Sequence, residues 1–358
     1  MIERERLIET FCDLVKIDSP SGEEHNIAQY LGDRLKQLGL NVTKDDYGNV
    51  IARSEGDNPL MLSAHMDTVE PGRGIAPRVN VDKIESDGTT ILGGDCKAGL
   101  TAILEALDSL NQDKVKHIPI EVVLTREEET GLIGAANLDF SLVKSKEAVV
   151  FDGEGPVSKI TSSSPTYIGF DIEITGQSAH AGVEPEKGLS AIKIAAQLIN
   201  KLPQGRLDEE TTFNIGLIEG GQVRNAVSET VNLQGEFRSM NLETLDSVNM
   251  QLMQAINEVR SAYPKAKLAE KLTTDFHTYR IDDGSSTLRR IKSGLSSLGL
   301  KPTMQRSGGG TDGNVFRKLG IDAVVVGMAD HGMHTKQEYV SIPDLMDAAH
   351  LVEALIAY

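Results

Sequence analysis

Five short islands of metal-type side chains lie between residues 65 and 334: His65-Met66-Asp67, Gly94-Asp95, Glu127-Glu128-Glu129, Asp152-Gly153 and His334-Thr335-Lys336. Imidazoles and carboxylates are ligands for Zn²⁺ or a related divalent ion such as Co²⁺ or Mn²⁺. Brought together, they would bind two metal ions and activate a water, the chemistry of a metallohydrolase. Taken singly, each island has an ordinary reading. His65 and Asp67 could simply end a strand. Asp95, after two glycines, could cap a helix. The three glutamates could be a solvated acidic loop. The joint pattern, not any one island, points to chemistry.

The elements that must position these residues are legible as apolar runs. Residues 60–64 precede His65, residues 118–124 precede the glutamates, and residues 149–151 precede Asp152. Each run reads as a strand, and ligands of open α/β sheets gather beyond the carboxyl ends of strands. Residues two apart on a strand share a side, so Asp67 could hold one ring nitrogen of His65 while the other binds metal. Three adjacent carboxylates at a strand mouth repel one another unless cations compensate. One glutamate can then ligate while its neighbour acts as general base.

Helical spacing of apolar residues predicts helices over 2–15, about 27–38, 98–110, 285–298 and 343–357, with further strands over 49–53 and 321–327. Ser21 and Glu24 have the spacing of a capping box. This alternation predicts an α/β sheet with helices on both faces. Between residues 164 and 275 the pattern changes. Alternation over 167–175 predicts a half-exposed antiparallel strand. A helix over 189–202, strands over 213–218 and 231–237, and a helix over 242–263 follow. That β-α-β-β-α order suits a small ferredoxin-like α+β layer. The expected organisation is a discontinuous domain of residues 1–163 and 276–358, with 164–275 inserted.

Composition narrows the classes of function. The chain has 358 residues, of which 39% are hydrophobic, enough for a real core. A formal net charge of −17 argues against nucleic acid or an anionic membrane as the main partner. The charged start, Met1 to Arg6, does not read as a signal peptide, and no apolar stretch has the length of a membrane span. Two cysteines, Cys12 and Cys96, suggest no disulfide framework. A cytoplasmic location is the simple expectation.

The segments Ser63-Ala64-His65-Met66-Asp67-Thr68, Gly94-Asp95-Cys96-Lys97-Ala98-Gly99, Thr125 to Gly131, Asp152-Gly153 and His334 to Glu338 together resemble the M20 metallopeptidases, nearest their peptidase T-like branch. The order matches, and the resemblance spans nearly the whole chain. It implies a zinc-peptidase catalytic domain, a mixed sheet flanked by helices, and an inserted lid or dimerisation domain. It implies two Zn²⁺ per chain: His65 and Asp152 on one, Glu129 and His334 on the other, Asp95 bridging. Glu128 matches the general base, chosen because base and ligand are adjacent before the X-Gly step. Asp67 matches the residue that orients His65. A cis peptide is implied at Asp95-Cys96. Relatives of the peptidase T branch often carry a second Asp where this chain has Cys96; its thiol either packs as a small apolar group or competes for metal.

In the insertion, Gly176 to Gly182 and Gly220 to Val227 resemble lid motifs. There His180 and Asn225 would help to stabilise the oxyanion, with His180 reaching a partner's site in a homodimer. Ser307 to Gly313, with Gly309 and Gly310, resembles a loop that approaches the substrate backbone, or is a flexible loop before a helix. Arg280, Arg306 and Arg238 are candidate carboxylate clamps.

The expected activity is hydrolysis of short peptides, as a tripeptide aminopeptidase. The alternatives are an N-acyl-amino-acid deacylase, carboxypeptidase or dipeptidase of the same clan. A catalytically dead metal-binding protein would need a missing base or ligand, and every position is filled. No Walker pattern supports nucleotide binding.

Overall fold

Four largely buried strands with aliphatic centres form the middle of the larger sheet: Ile120–Thr125, Leu60–His65, Glu147–Gly153 and Asp322–Gly327, side by side and parallel. Runs buried on both faces read as continuous rather than alternating apolar sequence, and these do. All four carboxyl ends therefore open on the same edge. Val50–Arg53 and Asn41–Lys44 extend the sheet antiparallel on one side. On the other, Lys159–Ser164 pairs antiparallel with Asp322–Gly327 at Ile160, and Thr303–Arg306 lies parallel to it. The sheet is mixed and nine-stranded.

This computed structural model describes Met1 to Tyr358 and divides into two units, Met1–Ser163 with Arg280–Tyr358, and Ser164–Tyr279. In the first, the helix Gly94–Gln112 packs on the strands Leu60–His65 and Glu147–Gly153 and against the helices Arg4–Val15 and Ile342–Ile356. It is buried almost all round, as a helix without a polar face must be. A small four-stranded sheet joins Arg78–Val79 and Lys83–Glu85 to Tyr339–Ser341 and Asp330–His331. It anchors the segment that carries His334.

The second unit is an antiparallel sheet in the order Gly205–Arg206, Thr211–Gly220, Thr230–Ser239, Thr166–Thr175, Lys267–Phe276. The helices Ala191–Ile199 and Leu242–Ala262 pack on it. Phe170, Ile172 and Ile174 alternate inward, and Phe170 stacks near Phe213 and Phe237, with centroids 5.4 and 6.5 Å away. Lys267–Phe276 adds a strand to the expected β-α-β-β-α order. It is an edge strand in which Leu268, Leu272 and Phe276 are spaced among mostly exposed, polar residues, so its hydrophobic signal is weak. The insertion accordingly runs to Tyr279: the Thr278 N–H donates to Thr166 Oγ1 and its hydroxyl to the Ser164 carbonyl, holding the returning chain beside the outgoing one.

Candidate metal centre

His65 is the last residue of its strand, in register with Thr125, and Asp152 comes one residue before the end of Glu147–Gly153. The kinked start of the helix Gly94–Gln112, where Asp95 and Cys96 depart from helical backbone, delivers Asp95 between them. Asp95 Oδ1 lies 2.9 Å from His65 Nε2, and Asp95 Oδ2 lies 3.2 Å from His334 Nε2. Asp152 Oδ1 is 3.5 Å from the same His65 nitrogen, and Glu129 Oε1 is 3.0 Å from His334 Nε2. One carboxylate thus touches two imidazoles, each of which has a second carboxylate beside it. His65, Asp95, Glu129, Asp152 and His334 are brought together within the first unit.

Asp67 is fully buried and does more than face His65. Its Oδ1 lies 3.4 Å from His65 Nδ1 and accepts the Glu128 N–H at 3.0 Å, while Oδ2 accepts the Ser21 hydroxyl at 2.7 Å and the Glu129 N–H at 3.2 Å. The imidazole is held chiefly by the Asp67 backbone carbonyl, 3.0 Å from His65 Nδ1, while the Asp67 carboxylate fixes the turn that carries two glutamates. The triple glutamate is sorted by backbone geometry. Glu127 has φ +47°, a left-handed conformation that a side chain rarely adopts, and its carboxylate accepts the Tyr47 hydroxyl. Glu128 and Glu129 are the two that offer oxygens beside His65. His334 also has positive φ, +62°.

The capping box expected at Ser21 and Glu24 does not form. Ser21 is taken by Asp67. The Glu24 carboxylate accepts the N–H groups of Gly22 and Glu127, at 2.9 and 3.0 Å, and pairs with Arg126. Tertiary partners outcompete the local cap, and both residues support the glutamate turn.

Glu338, the last residue of the His334 to Glu338 segment and given no role of its own there, accepts the N–H groups of Leu92, Gly93, Gly94 and Asp95 at 2.6, 2.9, 2.7 and 3.3 Å. Gly93 takes φ +74°. A Cβ on Gly94 would collide with Asp330 and Val340. The Asp95–Cys96 peptide is cis, as the resemblance implied. Cys96 packs as a buried thiol whose S–H donates to the Phe151 carbonyl at 2.5 Å, and burial pushes its pKa well up.

Electrostatics test whether a cation fits. Burial pushes the Asp152 carboxyl up to about 7, against the pull of His65. Burial and then Asp152 push Glu128 well above the usual carboxylate range. Burial would raise Asp95 too, but His334 and His65 outweigh it and hold its pKa below normal. Hydrogen bonds to Asp95 and Glu129 lift His334 to about 10. Asp312, in the glycine loop, accepts the Thr125 hydroxyl on one oxygen and has no partner on the other; burial raises it to about 6. So many buried carboxylates, sharing two imidazoles, are a donor set that fits divalent metal.

A cavity of about 450 Å³ opens on these groups. Asp95, Glu128, Glu129, Asp152 and His334 line it, with Arg306, Gly309 and Gly310 opposite in sequence. Arg280 is exposed and does not line it; of the candidate clamps in this unit, only Arg306 does. In the second unit, His180 and Asn225 are exposed neighbours: His180 bridges Ala226, and the Ala181 N–H donates to the Asn225 carbonyl at 2.9 Å.

Two family models match the chain: a peptidase dimerisation domain over residues 163–264 and peptidase family M28 over residues 49–159. The uncharacterized protein YqjE of Bacillus subtilis is 38% identical over 367 residues, covering 99% of each chain. Among solved structures, a tripeptidase from Staphylococcus aureus superposes with a TM-score of 0.92 at 33% identity, covering 99% of this chain and 98% of that one. Aminopeptidase PepT from Bacillus cereus gives 0.86 at 36%, with the same coverage. The dimerisation match falls on the insertion, and the full-length relatives carry both units. On these likenesses the chain belongs to the M20 metallopeptidases, on their peptidase T-like branch.

Proposed function

We propose that the protein is a two-metal exopeptidase that removes N-terminal residues from short peptides, as a tripeptide aminopeptidase. The observation that carries this reading is Asp95, whose two carboxylate oxygens face His65 and His334 separately, as a bridging ligand would. In this reading His65 and Asp152 hold one ion, Glu129 and His334 the other, with Zn²⁺ the first choice and Co²⁺ or Mn²⁺ able to replace it. Bound metal supplies Lewis-acid activation of water and of the scissile carbonyl.

The chain's own residues do the rest. Glu128 takes the proton from the attacking water as its oxygen bonds to the carbonyl carbon, then passes that proton to the amine nitrogen as the C–N bond breaks. Its raised affinity for a proton, from burial and from Asp152, suits both transfers. Asp67 keeps His65, Glu128 and Glu129 in fixed relation. Gly309 and Gly310 leave the cavity wall open to a peptide backbone, and Arg306 in the same wall is the cation nearest in kind to a carboxylate clamp. The matched dimerisation domain supports a homodimer, in which His180 of the partner subunit, with Asn225, would donate to the oxyanion.

The tripeptidase and aminopeptidase relatives favour peptides with a free N-terminus. Arg306 keeps the deacylase and carboxypeptidase alternatives open, because either would use a carboxylate clamp. A mass-spectrometric digest decides. Free tripeptides, N-acetylated tripeptides and N-acetyl amino acids are incubated with the zinc-loaded and cobalt-loaded enzyme. Loss of the first residue from free tripeptides alone is the expected result. Turnover of the acetylated substrates instead would replace this reading with deacylation.

A further inference from the structure

Glu338 lies 243 to 246 residues from the four amides it binds, yet all four point at one carboxylate, at 2.6 to 3.3 Å. Successive N–H groups of Leu92, Gly93, Gly94 and Asp95 form a concave nest, an anion-binding shape that needs a left-handed residue, here Gly93 at φ +74°. Glu338 is 1% exposed, so these bonds are not diluted by solvent. Charge-assisted bonds to buried N–H groups are the strong class of hydrogen bond, and four of them constrain the turn's position closely.

The turn has one chemical task, to present Asp95. Glu338 sits four residues beyond His334, so a single short segment supplies one imidazole and also grips the backbone behind the carboxylate that meets it. Around that grip the same segment is shaped to the turn. Asp330 and Val340 pack where a Cβ at Gly94 would be, and the Val340 strand is paired to Lys83–Glu85. The separation of His334 from Asp95 is thereby set by Glu338 and not by the two side chains alone.

We propose that Glu338 is a positioning residue for the metal centre: its buried carboxylate, bound in the Leu92–Asp95 amide nest, holds Asp95 at the distance from His334 that lets one carboxylate serve two ions. Glu338 itself touches no metal and no substrate. This rests on the two-metal reading of the site, and its test reads metal alone, so it does not depend on the substrate being identified.

The experiment measures Zn²⁺ binding by competition with a chromophoric chelator, and the visible spectrum of the Co²⁺-loaded protein, on the full chain. Wild type, Glu338→Gln and Leu295→Ala are compared. Leu295 is a fully buried core residue of the helix Ser286–Ser297 and serves as a purely destabilising control. The expected result is a loss of about 10- to 100-fold in at least one zinc-binding step for Glu338→Gln, with an altered Co²⁺ spectrum. Leu295→Ala should lower the melting temperature and leave both metal readouts unchanged. If Glu338→Gln does not fold, Glu338→Asp keeps the charge but withdraws the carboxylate by one methylene, and it must show the same metal defect. Wild-type zinc constants and an unchanged Co²⁺ spectrum in the folded Glu338 variant would overturn the inference. A wild type that binds no metal would overturn it together with the two-metal reading.

Discussion

The two units bury different things. In the inserted unit every buried polar residue is a serine or threonine, and its core is aliphatic and phenylalanine. In the other unit Asp67, Asp95, Glu128, Asp152, Asp312, Asp330 and Glu338 are all buried. An apolar core is stable on its own terms, since burial itself is favourable. A core of carboxylates is stable only with partners: amides for Glu338, hydroxyls and amides for Asp67, a hydroxyl for Asp312 and imidazoles for Asp95 and Asp152. The contrast separates a unit built to hold a shape from one built to hold charge.

The largest effect should come from Glu128→Ala. Loss of a general base costs about 10²- to 10⁴-fold in kcat, while metal content stays that of wild type. Full activity in that variant would remove the base assignment. Lost metal would mean that Glu128 is a ligand.

Phe213→Ala attacks the apolar unit instead. It empties the contact with Phe170 and Phe237 and should cost about 3–5 kcal/mol of that unit's stability. Zinc affinity should not move. A variant that unfolds the insertion and also releases metal would erase the contrast.

A smaller effect distinguishes the units by pH. Asp152 and Asp312, at about 7 and about 6 without metal, hold protons in the fold that the unfolded chain has already released. Their contribution to stability is present below the ordinary carboxylate pKa and is lost as pH rises through those values. The melting temperature of chelator-treated protein should therefore fall between about pH 4 and about pH 7. Added zinc should reverse the trend, because ligands bind as anions and metal affinity rises over the same window. A metal-free protein that grows more stable across that window would contradict the burial of unpaired carboxylates.

What could be read in advance follows the same division. His65, Asp95, Glu129, Asp152 and His334 were legible because each ends an apolar run or follows a glycine turn, and strand ends converge in a parallel sheet. The choice among Glu127, Glu128 and Glu129 was visible only as a family register. The structure sets Glu127 apart from the other two through a left-handed backbone and through Tyr47, eighty positions away. Ser21 and Glu24 misled because local spacing says nothing about distant partners that bid for the same oxygens. Lys267–Phe276 has only a weak pattern, since as an edge strand it buries Leu268 and Phe276 and leaves most of the rest exposed and polar. Glu338 is legible only as the end of the His334 to Glu338 segment, with no role, because its four donors lie more than 240 positions earlier.

That separation has a consequence for how the enzyme comes into being. During synthesis His65, Asp95, Glu129 and Asp152 leave the ribosome well before His334 and Glu338 are made. Until then the turn bearing Asp95 has no clasp and its carboxylate has only one imidazole. Asp95 can therefore meet its second imidazole and its clasp only after residues 334–338 have been made, however early the strands that carry His65 and Asp152 have formed.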